Sequence, residues 1–260
     1  MNTPYLTRTM PASNKVPEVT LAFWLIKILS TTVGETGADF LAVNLGLGQG
    51  FTILIMGVLL GAVWIAQLRS RDCVLWLYWL AVVLVSIVGT QITDIMTDKL
   101  GIPLVLSASV FAALLVAIFG IWYRVEGTLS IHTIVTRQRE VFYWSAVLCT
   151  FALGTAAGDL ATEAWGLGFT RGVLLFGTLI AITYIGFRRG ANAVLTFWVA
   201  YVLTRPFGAS LGDLLTQSTN YGGLGLGALW TSALFLCAIV GLVALCHLAP
   251  NSAFVSRTPK

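Results

Sequence analysis

Charge is what this sequence has least of. Only 10% of its 260 residues are Asp, Glu, Lys or Arg, while 57% are hydrophobic. Soluble domains carry about 25% charged residues, and the mean hydropathy here is +0.88. No water-soluble core absorbs so much apolar surface, so the composition excludes a soluble domain. Histidine is scarce as well. His132 and His247 are the only two, which excludes a haem held by histidine pairs across a bundle. The four cysteines, Cys73, Cys149, Cys237 and Cys246, lack paired metal-site spacing and read as small apolar packing residues. The stretch "GLGQG" at 46–50 has no parallel-sheet unit around it, so it is not a nucleotide loop.

What the chain does have is apolar runs. Stretches of roughly 18 residues or more, long enough to cross about 30 Å of hydrocarbon, recur between short polar breaks. They predict an all-α membrane protein with eight transmembrane helices near 19–43, 50–68, 74–97, 104–123, 141–164, 171–187, 191–216 and 224–247. Segment 1–17 has neither the apolar core nor the cleavage site of a signal peptide. It is expected to be a cytoplasmic tail, as is 250–260.

Lys and Arg in short loops stay on the cytoplasmic side. One set of segments holds Arg8, Lys15, Arg69, Arg71, Arg124, Arg137, Arg139, Arg188, Arg189, Arg257 and Lys260, and the opposite loops hold only Lys99 and Arg171. Both termini are therefore expected in the cytoplasm of a cell with the chain in its inner membrane. The net charge of +4 reflects this asymmetry and calls for no nucleic-acid partner.

The chain repeats itself four times. Aligned on Asp39, Asp94, Asp159 and Asp213, a tryptophan stands fifteen residues earlier in every copy: Trp24, Trp79, Trp144 and Trp198. Five residues before each aspartate stands a glycine, namely Gly34, Gly89, Gly154 or Gly208. Seven residues after the first three come Gly46, Gly101 and Gly166, whereas the fourth copy is looser, with "YGGLGLG". Only nine residues of the chain are tryptophan, so a fourfold match at one offset is not accidental.

On these residues the sequence resembles a family of bacterial polytopic membrane proteins made of four tandem two-span repeats of unknown function with a signature tryptophan. The resemblance covers residues 18–247 and implies eight spans, but no catalytic residues. Repeat limits are expected at 18–70, 71–127, 137–189 and 190–249. Two spans per repeat make the four copies parallel in topology, so the four aspartates lie at one depth, about 22 Å along the helix from the tryptophans. The tryptophans read as anchors at the cytoplasmic interface, and the first helix of each repeat is expected to face a common axis.

Helical spacing places further polar groups beside the aspartates. Glu35 precedes Asp39 by one turn; Thr97 and Asp98 follow Asp94; Thr162 and Glu163 follow Asp159; Thr216 and Gln217 follow Asp213. A charge at the bilayer centre costs about 3 kcal/mol or more, and the only basic residues close in sequence are Lys27, Lys99, Arg171 and Arg205. The excess of acid points to bound protons or a bound cation. Oxygen-only donors suit hard cations. Asp159 and Glu163 resemble an acid/base pair, yet no nucleophile accompanies them, so no enzyme is expected.

The function expected is a proton-coupled antiporter exporting a hard divalent cation, manganese preferred. Asp39, Asp94, Asp159 and Asp213 would hold the metal. Glu35, Asp98 and Glu163 would be added ligands or proton carriers, Thr97, Thr162 and Thr216 neutral oxygens, and Arg205 and Lys99 gating or pairing groups. The partners are then lipid, protons and the transported cation, with no resident cofactor; a homodimer is compatible. Two alternatives remain open: a carrier of a small organic solute, and a scaffold whose acids staple helices together. Reporter fusions near residues 70, 130 and 189 should read cytoplasmic and those near 48, 101, 168 and 221 the opposite side; reversal at two or more sites overturns this orientation.

Overall fold

The computed structural model describes residues 14–248. Among the described residues are eight long helices and no strand: α1 (Leu21–Asp39), α2 (Gly48–Arg69), α3 (Leu75–Asp94), α4 (Leu104–Glu126), α5 (Arg137–Asp159), α6 (Gly168–Arg188), α7 (Ala193–Thr216) and α8 (Ala228–Leu248). Arg8, Arg257, Lys260 and the tail 250–260 lie outside them. Of the tail expected over 1–17, the last four residues are docked: Lys15 is ion-paired to Glu140 at 2.5 Å and Val16 is buried.

Helix starts follow local chemistry. Thr20, Thr136 and Asn192 each turn a side-chain oxygen onto the first free N–H groups of α1, α5 and α7. The inner ends of the repeats share a second device. Immediately after Asp39, Asp94 and Asp159 the helix loosens into one π turn, Phe40–Asn44, Ile95–Lys99 and Leu160–Ala164. A glycine with positive φ then stops it: Gly46 at 69°, Gly101 at 64° and Gly166 at 65°. The fourth copy has no π turn after Asp213 and uses Gly222 at 85° instead, in line with its looser sequence.

Seven of these helices are long and apolar enough to cross a membrane. The exception is α1, whose 19 residues include Lys27, Glu35 and Asp39 along with Ser30, Thr31, Thr32 and Thr36. Its polarity has a place to go, because α1 is buried within the bundle along most of its length. Helices α1, α3, α5 and α7 pack in cyclic order, each on the next and α7 back on α1. Outside them α2 lies on α3, α4 on α5, α6 on α7 and α8 on α1. Each outer helix thus covers the inner helix of the following pair, and the last pair closes on the first. The outer helices expose Leu54, Val58, Val116, Leu174, Ile182, Leu234 and Val240.

The repeat glycines make this ring close. A Cβ on Gly34 would overlap Ser86 of α3; on Gly89 it would come within 2.8 Å of Phe151 of α5; on Gly154 it would strike Arg205 of α7; on Gly208, Thr31 of α1. Each target stands three residues before the glycine of its own helix, so one contact recurs four times around the ring. Close backbone approach through small residues is the main source of helix association in lipid.

The first turns of the inner helices meet in an aromatic tier, again cyclic. Phe23 packs on Trp79 at 5.3 Å between ring centres, Tyr78 on Trp144 at 5.5 Å, Tyr143 on Trp198 at 6.1 Å and Phe197 on Trp24 at 5.6 Å. This corrects the reading of the signature tryptophans as interface anchors. Trp79, Trp144 and Trp198 are buried and Trp24 half-buried, each held by the aromatic residue that precedes the tryptophan of the neighbouring copy. With their first turns in this tier and their last turns around the cavity described below, the four inner helices run in one direction.

Gly208→Val should lower the stability of the purified protein in detergent by about 1–3 kcal/mol through overpacking. Gly57→Val, at a position with open space around it, should stay within about 1 kcal/mol, the helix-propensity difference. Equal shifts in thermal unfolding would refute the close approach.

Candidate functional site

The inner helices end around one cavity of about 210 Å³. All seven acidic residues singled out from the sequence line it: Glu35, Asp39, Asp94, Asp98, Asp159, Glu163 and Asp213. They are arranged in tiers one helical turn apart. Asp39, Asp94, Asp159 and Asp213 form one ring, with one aspartate from each inner helix. Four residues further on, nearer solvent, stand Val43, Asp98, Glu163 and Gln217, also all lining. Asp98 and Glu163 are exposed, Asp39, Asp94 and Asp159 half-buried, Asp213 and Glu35 buried. The space is therefore a vestibule whose lining goes from exposed at Asp98 and Glu163 to buried at Glu35 and Asp213.

Arg205 closes its floor. The side chain is fully buried, and its guanidinium donates to the Glu35 carboxylate at 2.7 Å, to the Thr31 carbonyl oxygen at 3.2 Å and to the Thr90 hydroxyl. This realises the pairing anticipated for Arg205 with an acid on another helix. Among the described residues Glu35 is the only one of the seven acids with an ion pair. Deeper still lies Lys27, two helical turns before Glu35 on α1. Its ammonium is buried without a hydrogen-bond partner and sits over the rings of Phe151 and Tyr201 at 4.0 and 4.3 Å, a contact that replaces part of the lost hydration. Below Lys27 the Tyr78 and Tyr143 hydroxyls share a hydrogen bond of 2.6 Å at the aromatic tier.

The threonines divide. Thr97 lines the vestibule, but Thr162 and Thr216 do not, and their hydroxyls donate back to the carbonyl oxygens of Gly158 and Gly212 at 3.0 and 2.9 Å. Thr97 makes the same backbone bond, to the Thr93 carbonyl oxygen at 3.1 Å, so the three differ in whether they line the cavity and not in how their hydroxyls are satisfied; the reading is corrected in that Thr162 and Thr216 are not lining oxygens. Lys99 is exposed beside Gly50 of α2 and is not a lining residue. Three glutamines take places that the acid search did not assign. Gln49 donates to Asp98 at 2.8 Å, Gln91 to Asp94 at 3.4 Å, and Gln217 completes the outer ring. Gln49 belongs to "GLGQG", whose dismissal as a nucleotide loop left its amide without a role. Both Gln217, four residues after Asp213, and Gln91, three residues before Asp94, carried a signal in their helical spacing.

No lysine, arginine or histidine lines the vestibule among the described residues. Nor do three Asp, Glu, His or Cys side chains there converge closely enough to ligate one ion together. The ring of four aspartates is thus shared by one space but not drawn onto one point. The cysteines stay apart from it and unpaired. Cys149 donates to the Phe111 carbonyl oxygen at 3.3 Å, and burial pushes the Cys73 thiol up to about 11, so Cys73 is inert as a nucleophile near neutral pH.

A helical bundle with seven membrane-length apolar helices and internal repeats defines a multi-pass membrane protein. The chain belongs to the family described as Repeat of Unknown Function (DUF347), whose model matches it four times, at residues 22–72, 77–128, 142–189 and 196–250. No curated protein and no solved structure matches it.

Removing one partner of a buried ion pair costs about 3–5 kcal/mol. Arg205→Met should therefore unfold at a clearly lower temperature than the parent, and Glu35→Gln together with Arg205→Met should recover at least half of the loss. A double variant no better than Arg205→Met would show that the pair does not couple the helices.

Proposed function

We propose that the chain is an eight-span transporter of the inner membrane that exports a hard divalent cation, manganese preferred, in exchange for protons, and is not an enzyme. In this reading α1 is the eighth span, shielded from lipid by its neighbours, and the four parallel repeats 18–70, 71–127, 137–189 and 190–249 enclose the transport path. The observation that carries it is the vestibule itself: among the described residues seven acids and no base line it, and its buried acid Glu35 is paired to Arg205, with Lys27 and the aromatic tier further along the same helices. Alternating access needs such a site, reached from one face and sealed from the other.

The basic residues Arg69, Arg71, Arg124, Arg137, Arg139, Arg188 and Arg189 fall at helix ends on the aromatic side. By the positive-inside rule that side and both termini are cytoplasmic. The vestibule then opens outward, the state from which an exporter releases its cation and takes up protons. A carboxylate that holds a proton cannot hold the metal, and this competition is the minimal device for exchange. A scaffold would need its acids satisfied by protein partners; Glu35 has its ion pair and Asp94 and Asp98 have glutamine donors, which leaves Asp39, Asp159, Glu163 and Asp213 unexplained. The organic-solute reading draws support from Ala42, Val43 and Leu104 in the lining, which give the vestibule apolar surface that a bare metal does not use.

The test is flux in proteoliposomes with an imposed pH gradient and a panel of manganese, magnesium, calcium and organic cations. Asp39→Asn and Asp159→Asn should express normally and reduce manganese flux to background, while Ser210→Ala, at a buried hydroxyl that does not line the vestibule, keeps most of it. Apparent manganese affinity in the parent should fall as pH falls, because protons take the same oxygens. Normal flux in the Asp→Asn variants refutes the reading; flux of organic cations alone favours the second.

A further inference from the structure

The vestibule has the wrong shape for chelation. Inner-sphere binding of Mn²⁺ or Mg²⁺ requires oxygens at roughly 2.0–2.2 Å from the ion, drawn together from several side chains, and no three acids among the described residues approach one point. The acids instead line the walls of a space of about 210 Å³. At a water's share of about 30 Å³ that space has room for on the order of seven waters, an ion and one complete shell.

The polarity of the wall adds a second constraint. Carboxylates only accept hydrogen bonds when ionised, and the amide N–H groups of Gln49 and Gln91 are turned onto Asp98 and Asp94. The amide oxygen of Gln91 has no partner although the residue is 99% buried and lines the vestibule. A buried acceptor without a donor is costly. The wall therefore presents acceptors to a ligand that must bring the donors. A naked cation brings none, whereas a hexahydrated cation brings twelve O–H groups directed outward on all sides.

We infer that the vestibule takes its divalent cation with the water shell intact, the carboxylates and the Gln91 amide oxygen accepting hydrogen bonds from the shell rather than binding the metal. This rests on the cation-exchange reading above and narrows its substrate to the hydrated ion. Magnesium, a small hard cation that gives up its water reluctantly, fits this better than calcium, which sheds water readily for a cage of direct ligands. The tiers fit it too. The outer ring of Val43, Asp98, Glu163 and Gln217 is incompletely charged and admits the ion, and the aspartate ring one turn deeper surrounds it evenly.

Cobalt(III) hexaammine separates the two modes, since its six ammonia ligands do not exchange and it can bind only through outward N–H groups. Purified full-length protein in detergent is loaded with manganese, and the free aquo ion is followed by its electron paramagnetic resonance signal. Hexaammine should release the bound manganese at concentrations comparable with those of magnesium. Gln91→Leu should weaken hexaammine and manganese binding alike, by about five- to tenfold, the worth of one hydrogen bond. Manganese that binds but resists a hundredfold excess of hexaammine overturns the hydrated-ion inference and leaves the exchange reading standing. If spermidine or another organic amine binds and manganese does not, both fall in favour of the organic solute; if no cation binds, both fall outright.

Discussion

The guanidinium of Arg205 is the point on which the rest of the structure depends. It leaves α7, reaches Thr31 and Glu35 of α1 and Thr90 of α3, and its own stem fills the space that Gly154 of α5 leaves open. All four inner helices therefore meet at one side chain. A planar fork with several fixed donors is suited to this, and a lysine, with one compact charge, is not. Because a charge so deeply buried is tolerable only when paired, the helices that supply Glu35, Thr31 and Thr90 to its two terminal nitrogens are tied to its position, although its Nε stays without a partner. The vestibule above it and the sealed half below it are two sides of the same junction.

The ring is close to fourfold in its packing and far from fourfold in its chemistry. The aspartates, the glycines and the aromatic–tryptophan pairs repeat in every copy. One and two turns before the aspartates the copies diverge: Glu35 has Thr90, Thr155 and Ala209 as its counterparts, and Arg205 has Thr31, Ser86 and Phe151. A strictly symmetric protein would place four glutamates or four arginines around one axis, and like charges at that spacing repel. A single glutamate and a single arginine from different copies neutralise each other instead. Duplication thus supplied the frame, and divergence at two positions supplied the closed floor.

Outer and inner helices answer different solvents. α2, α4, α6 and α8 turn large aliphatic side chains outward and cover the inner ring, so the polar face of α1 never meets that outer surface. Without a hydrophobic drive between helices in lipid, the glycine contacts and the buried pair hold the inner ring together. The π turns after Asp39, Asp94 and Asp159 add one residue to the helix where it leaves the ring, and such bulges recur at functional sites.

Much was legible in one dimension. Apolar run length marked out the eight helices, because helix rise and bilayer thickness leave few other ways to use such runs. The fourfold offsets of Trp, Gly and Asp identified the inner helices and the residues that share a depth, and all seven acids named on helical spacing line the vestibule. Periodicity did not reveal partners. That each glycine meets the following inner helix and that the tryptophans are packed inward depend on contacts between segments far apart in sequence, whereas the backbone bonds of Thr162 and Thr216 and the Gln91–Asp94 contact span only three or four residues. A sequence determines which residues share a helix face and at what height. Which faces oppose each other, and whether several carboxylates line a wall or converge on a point, is decided only when the ring closes.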